Sequence, residues 1–156
     1  MVCAVVLSGE NASADGVETT DENVSEDEMN ETEERSLEEI REEIKSKLVA
    51  SGYTVTEVDE KDDMLFMDFE GPNGELISLG LAKSESLTVK EIMNQGFAIQ
   101  EIGSHVGGLS PLKYTAGPYM SQIFAFSYDN YTLVEVAAVG EANRVSQDLV
   151  NTVNLL

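Results

Sequence analysis

Apolar residues recur at helical spacing in three parts of the chain and alternate with polar residues in several others. The first helical pattern is an apolar stripe with steps of three, four and four, made by Leu37, Ile40, Ile44 and Leu48. Just before this stripe, Ser36 and Glu39 have the spacing of a capping box, in which each side chain bonds the other residue's backbone amide. Together these patterns predict a helix over residues 37–51.

Five runs rich in β-branched, aromatic or other apolar residues predict strands. Three of them follow the first helix, at residues 53–58, 64–70 and 75–82. They are joined by short segments rich in turn-forming residues, so we expect an antiparallel meander. Two more runs, residues 119–128 and 131–139, meet at Asp129-Asn130, a pair suited to a tight hairpin turn.

A second helix is predicted to begin at the capping-box pair Thr88 and Glu91. Gly96 could end this helix and leave residues 97–102 as a strand, or the helix could continue through a tolerated glycine. We expect the helix to continue to about Ile102.

The last third of the chain predicts a long loop and, after the hairpin, a final helix. Residues 103–117 are rich in glycine and contain Pro111, which is typical of a loop, and long loops in compact domains are often functional. From Glu141 onward apolar residues return at helical spacing, at Ala142, Val145, Leu149, Val150 and Val153. We expect this helix to pack back on the sheet.

The predicted order of elements is α-β-β-β-α-β-β-α. It implies an α+β domain whose mostly antiparallel sheet of about five strands is packed with helices. The order is similar to that of type III secretion chaperones, and the final hairpin and helix are similar to PsbP-like exported modules. Neither likeness includes a residue motif, so the sequence assigns no family.

Charge divides the chain into a tail and one domain. The 156 residues carry a formal net charge of -21, and residues 1–43 contain 15 acidic and 2 basic side chains, a net of -13, which leaves -8 for residues 44–156. This charge disfavours nucleic acid and anionic membranes as partners. We expect residues 15–35 to be a disordered acidic tail and residues 36–156 to form a single α+β domain around one core.

The first residues predict export. The short apolar run at residues 2–7 and the small residues Ala12-Ser13-Ala14 resemble a signal peptide that looks truncated, over residues 1–14. Asn-X-Ser/Thr sequences add candidate glycosylation sites, of which three are Asn23, Asn30 and Asn130. The expected location is therefore extracellular or on the cell surface, with the cytoplasm as the alternative.

Few residues offer catalytic or metal-binding chemistry. His105 is the only histidine, so a catalytic triad or a histidine-rich metal site would have to include it, and a solvated loop histidine is the simpler interpretation. The carboxylates of Asp59, Asp62 and Asp63 could bind Ca²⁺, but they lack the spacing of a calcium loop and fit a charged turn that keeps a sheet edge soluble. We expect no cofactor.

Four tyrosines cluster in the C-terminal half, at Tyr114, Tyr119, Tyr128 and Tyr131. Exposed aromatic side chains there could form a recognition surface beside the glycine-rich loop, so Tyr114, Tyr119 and His105 are the candidate binding residues. Packing on the sheet explains the tyrosines equally well. Tyr128 and Tyr131 flank the predicted turn and would form a cross-strand aromatic pair.

Export features together with a scarcity of catalytic groups favour a non-enzymatic exported or cell-surface module that binds a protein or an envelope component. We expect no membrane span in the mature chain, and the oligomeric state is left open. The alternative is an intracellular, acidic dimer resembling a secretion chaperone. A small hydrolase is the third hypothesis.

Overall fold

The computed structural model describes residues 34–83, 95–129 and 131–156. These residues form two helices, α1 (Leu37–Ala50) and α2 (Val145–Val153), and one sheet of eight strands. The strands in chain order are β1 (Thr54–Lys61), β2 (Met64–Glu70), β3 (Leu76–Lys83), β4 (Ala98–Ile102), β5 (His105–Leu109), β6 (Lys113–Tyr114), β7 (Tyr119–Ser127) and β8 (Thr132–Glu141).

The last strand in sequence lies in the middle of the sheet. The spatial order is β1-β2-β3-β8-β7-β5-β4, and the short β6 also pairs with β7, beside β5. Every pair is antiparallel. β8 therefore joins the N-terminal meander to the C-terminal strands.

The predicted meander of three strands is confirmed. Lys61 pairs with Met64, so only Asp62 and Asp63 connect β1 to β2. Both aspartates have positive φ angles, 51° and 65°, as a two-residue type I′ turn requires. Aspartate is one of the few residues other than glycine that adopt this conformation readily, which explains why the acidic run sits at the turn.

Both helices pack on one face of the sheet, which we call the helix face. The capping box predicted for α1 is present, and Ile40, Ile44 and Leu48 are buried against the first three strands. α2 lies over β7 and β8 and buries Val145, Leu149 and Val153. On the sheet the core consists of alternate residues, among them Leu65, Met67, Phe69, Leu79, Leu81, Phe124, Phe126, Val134 and Val136.

The predicted fold class, an α+β domain with about five strands packed with helices, is wrong. Most of the described chain belongs to one antiparallel sheet of eight strands, and the described residues contain two helices. The predicted continuation of a helix to Ile102 is also wrong, because Gly96 has a φ of 84° and residues 98–102 form β4. The predicted start of that helix, at residues 88–94, lies outside the described residues.

Two strands lie where a long loop was predicted at residues 103–117. The glycines that favoured a loop instead allow strands to approach closely. A Cβ atom on Gly107 would lie 2.2 Å from the carbonyl oxygen of Ala125, so only glycine lets β5 pair with β7 here. The final helix begins at Val145 rather than near Glu141, because β8 continues to Glu141, two residues beyond the predicted end of the strand at residue 139, before the chain turns.

None of the helices in the described segments is both long and apolar enough to cross a membrane.

One buried polar atom lacks a partner in the described parts of the chain. Thr132 is 0% exposed and its hydroxyl makes no hydrogen bond. A buried hydroxyl that has lost its bonds to water destabilises the folded state. We expect Thr132→Val to raise the free energy of unfolding by about 1 to 2 kcal/mol, measured by urea denaturation.

Thr152 provides the matched control for this substitution. It is equally buried, but its hydroxyl bonds the Tyr53 hydroxyl at 2.9 Å and the Asp148 carbonyl oxygen at 2.9 Å. Thr152→Val should therefore lower the free energy of unfolding by about 1 to 3 kcal/mol. Stabilisation by both substitutions would show that hydroxyl bonding does not decide the effect.

Candidate functional site

A network of polar side chains joins α1 to the end of β7. The Tyr128 hydroxyl donates to Glu43 Oε1 at 2.8 Å and accepts from Lys47 Nζ at 2.6 Å. Lys47 also donates to the main-chain oxygen of Leu156 at 3.0 Å, and Arg35 bonds Glu43 at 3.3 Å. The contacts of Tyr128 with Glu43 and Lys47, and of Lys47 with Leu156, connect residues more than 80 positions apart in sequence.

The contacts of this network favour a structural role. Lys47 Nζ lies 5.0 Å from the centre of the Tyr128 ring but 2.6 Å from its hydroxyl oxygen, so the ammonium sits beside the hydroxyl. Burial, followed by the hydrogen bond to Glu43, raises the pKa of Tyr128. Since a raised pKa keeps the phenol protonated, Tyr128 acts as a neutral donor that fixes α1 to the sheet.

The predicted pairing of Tyr128 with Tyr131 is wrong. The Tyr128 amide donates to the Thr132 carbonyl oxygen at 2.8 Å, so Thr132 is the residue opposite Tyr128 in the hairpin. Tyr131 lies in the turn, where its amide donates to Asp129 Oδ1 at 2.8 Å. The asparagine of the predicted turn, Asn130, lies outside the described residues.

His105 lies near this network and packs on an aromatic ring. The centres of its ring and the Phe126 ring are 4.3 Å apart. Burial and the nearby Lys47 ammonium lower the pKa of His105, which keeps the imidazole neutral at pH 7. No hydrogen bond joins Ser104 to His105 within the described chain, and His105 stabilises the end of β5 by packing.

The structure separates the three aspartates proposed as calcium ligands. Asp59 is on β1 and faces a shallow depression with Glu57 and Asp68, whereas Asp62 and Asp63 form the turn. Asp68 accepts a hydrogen bond from the Ser78 hydroxyl at 2.7 Å. In the described segments, no three carboxylate, imidazole or thiol groups converge on a point where a metal ion could sit.

Tyr114 and Tyr119 lie together at the end of the sheet that is remote from His105. Tyr114 is 78% exposed and Tyr119 is 48% exposed. Tyr114 pairs with Met120 while Gly107 pairs with Phe126, so about six residues of β7, or about 20 Å, separate the two regions. Because Tyr114 shares the face of Met120, Tyr119 points to the opposite face.

Tyr119 borders a cleft of about 300 Å³ at this end of the sheet. We call it the Tyr119 cleft. Its apolar walls are Tyr119, Leu76 and Val139, and its polar groups belong to Glu141, Arg144 and Asp148; Gly74 and Gly140 complete it. Leu76 is 51% exposed, so a large part of its side chain is available for contact.

The polar side of the Tyr119 cleft is held by the start of α2. Arg144 Nε lies 3.3 Å from Asp148 Oδ2, one helical turn away, and Arg144 Nη2 donates to the carbonyl oxygen of Asn73 at 3.0 Å. The side chain of Asp148 is only 10% exposed. Arg144 therefore neutralises a nearly buried carboxylate and ties α2 to the β2–β3 turn.

Sequence patterns predict Tyr119 as a binding residue but do not indicate its neighbours in the cleft. The sequence predicts only a strand at Leu76 and a helix beginning at Glu141, and it indicates no binding role for either residue. Arg144 is one of only nine basic residues in a chain with 30 acidic ones, which is the one signal in the sequence that could have identified it. The cleft needs the pairing of β8 with both β3 and β7, which distant parts of the chain determine.

The face of the sheet opposite the helices contains an isolated carboxyl group at its centre. Glu135 lies on β8 between Gly80 of β3 and Ala125 of β7. It makes no hydrogen bond or ion pair with the rest of the described chain, and burial raises its pKa. A carboxylate desolvated without a partner destabilises the folded state when it ionises.

Replacing Tyr128 with phenylalanine tests the network at α1. We expect Tyr128→Phe to lower the free energy of unfolding by about 1 to 2 kcal/mol at pH 7, because two charged side chains lose their shared partner. The folded-state pKa of Tyr128 is raised above its ordinary value of 10.0, so the unfolded chain loses this proton first as the pH rises. The stability that this hydroxyl supplies is therefore complete below pH 10 and decreases above it.

Urea denaturation of both proteins between neutral pH and pH 11 measures this effect. The wild type should lose more stability above pH 10 than Tyr128→Phe does. Burial also raises the pKa of Tyr53, and its contribution cancels because both proteins retain it. If the free energies of unfolding of the two proteins changed in parallel with pH, the role assigned to the Tyr128 hydroxyl would be contradicted.

Replacing Glu135 with glutamine tests the isolated carboxyl group. Since burial raises its folded-state pKa above the ordinary value of 4.5, the wild type loses stability as the pH rises through this region. Glu135→Gln removes this loss, so the variant should be the more stable protein at pH 7, and its advantage should disappear below pH 4.5. Thermal unfolding at pH 7 and below pH 4.5 measures the stability of both proteins. Glu101→Gln replaces an exposed carboxyl group and is the control, which should change the stability at neither pH.

Comparison with known proteins gives no family. No family model matches the chain, and no curated protein matches it. A crystal structure of a protein from Bacteroides thetaiotaomicron VPI-5482 is similar with a TM-score of 0.45 and 11% sequence identity. The match covers 64% of this chain and 40% of that protein, so this chain matches less than half of that protein's length. A likeness at this level assigns no function.

Proposed function

We propose that this domain is a non-enzymatic module that binds a segment of a partner protein in the Tyr119 cleft. The observation that carries the proposal is the exposure of Tyr119 and Leu76 on two sides of a cleft that also contains charged groups. Residues at the centres of protein interfaces are often tyrosines beside a pocket, because a tyrosine supplies a large contact area with few rotatable bonds.

The rigidity of the surrounding elements supports this proposal. Tyr119 and Val139 lie on paired strands, and Leu76 is paired directly with Val139. Arg144 holds the start of α2 against the β2–β3 turn through Asn73 and Asp148. A site built on paired strands and a fixed helix loses little conformational entropy when it binds.

A hydrolase has less support from the geometry. The polar groups around Tyr128 already bond one another. The residue pair that could have suggested a nucleophile and base, Ser104 and His105, is not hydrogen bonded in the described structure, and the His105 ring packs on Phe126. A binding role needs no reactive group, and the Tyr119 cleft meets its requirements.

The proposal includes an exported or cell-surface location as a prediction. That part depends on the Ala12-Ser13-Ala14 sequence and on the glycosylation sequences at Asn23, Asn30 and Asn130. All of these residues lie outside the described ranges. Mass spectrometry of the protein from its native host, showing an N-terminus at Asp15 and glycan on Asn23 or Asn30, is the expected result, and an intact, unglycosylated N-terminus would contradict export.

Peptide selection tests the binding function. Random peptides displayed on phage would be selected against the wild-type domain, and the affinities of the selected peptides measured by calorimetry. We expect peptides whose affinity falls on the order of thirtyfold with Tyr119→Ala, the loss typical of a central interface residue. Leu76→Ser should also weaken the binding of these peptides.

Tyr114→Ala is the matched control. Tyr114 is more exposed than Tyr119 and lies at the same end of the sheet, but it points to the other face and does not border the cleft. The Tyr114→Ala substitution should therefore leave the affinities of the selected peptides unchanged. Peptides that respond equally to both tyrosine substitutions, or to neither, would overturn the proposed site.

A further inference from the structure

We infer that the segment bound in the Tyr119 cleft is extended and presents a lysine or arginine to Glu141, with an apolar residue two positions away. The inference rests on the proposed binding function and specifies its partner. It is carried by the arrangement of four side chains, those of Tyr119, Glu141, Leu76 and Val139.

Tyr119 and Glu141 form a pair suited to a cation. They are directly opposite each other on β7 and β8, so their Cβ atoms are about 5 Å apart on the same face. Glu141 is exposed and makes no ion pair or hydrogen bond through its side chain with other described residues. A basic side chain placed here would meet an unpaired carboxylate and an aromatic ring together.

The other charges near the cleft leave this carboxylate uncompensated. Arg144 is the basic residue that borders the cleft, and its guanidinium already contacts Asp148 and the Asn73 carbonyl oxygen. The pair Arg144–Asp148 is neutral, so Glu141 gives the cleft a net negative charge. Residues 44–156 also carry a net charge of -8, which attracts cations to the domain.

Strand geometry sets the spacing of the partner's residues. Leu76 pairs with Val139, and Val139 precedes Glu141 by two positions on the same face of β8. The apolar pair and the acidic pair are therefore about 7 Å apart, the distance between alternate side chains of an extended peptide. An apolar side chain can contact Leu76 and Val139 while the basic residue two positions away reaches Glu141.

A double-mutant cycle tests this inference on the peptides whose binding depends on Tyr119. Wild-type domain and Glu141→Gln would each be titrated with a selected peptide and with the same peptide carrying glutamine in place of its lysine or arginine. We expect Glu141→Gln to weaken binding about fivefold. The peptide change should weaken binding at least as much, because it also removes the contact of the cation with the Tyr119 ring, and the double change should weaken binding no more than the peptide change alone. Glu101→Gln, which removes an exposed carboxylate on β4, should leave every affinity unchanged.

The possible outcomes separate the two proposals. If binding depends on Tyr119 but Glu141 shows no coupling to a basic residue, the inference is overturned and the proposed function stands. Coupling confined to peptides with the apolar residue two positions from the lysine or arginine supports the inference in full. If no selected peptide depends on Tyr119, both proposals fail. Thermal unfolding of Glu141→Gln should match the wild type, since the Glu141 side chain is exposed and makes no hydrogen bond or ion pair with the other described residues.

Discussion

The burial of a single face of the sheet under two helices is the constraint on which the rest of the structure depends. Apolar residues of α1 and α2 meet alternate residues of β2, β3, β7 and β8, and most of them are fully buried. Because strand side chains alternate between faces, this contact fixes which residues point inward on every strand. β8 is decisive, since it pairs with both halves of the sheet and supplies Val134, Val136 and Ala138 to the core.

The same constraint determines where binding chemistry can lie. Polar side chains that hold the helices in place, such as Tyr128 with Glu43 and Lys47, form bonds with one another. At the other end of the sheet, several residues outside the core lie beside the start of α2. Tyr119, Leu76 and Glu141 face outward there because their strand neighbours face inward, and the cleft results from this alternation.

Several features of the fold follow from local sequence. The stripe of α1 and its capping box predict a helix from local sequence alone, and the runs that form β1 to β3 are separated by residues suited to turns. The prediction of a loop over residues 103–117 is wrong because the glycines of this segment favour loops locally. Gly107 is needed since β7 passes too close for a side chain, and this closeness exists only in the assembled sheet. The sequence likewise indicates only part of the candidate site, since it predicts Tyr119 as a binding residue but not Leu76 or Glu141.

The sequence alone determined the first helix, five of the strands, and the concentration of acidic residues within the first 43 positions. These depend on interactions between residues close in the chain, which spacing and composition record. Tertiary structure decided that β8 is central and that Tyr128 forms hydrogen bonds with side chains of α1. It also decided that Tyr119, Glu141 and Leu76 border one cleft. The three cleft residues are 22 to 65 positions apart in the chain, and they meet only because burial of the helix face selects one register for the strands that carry them.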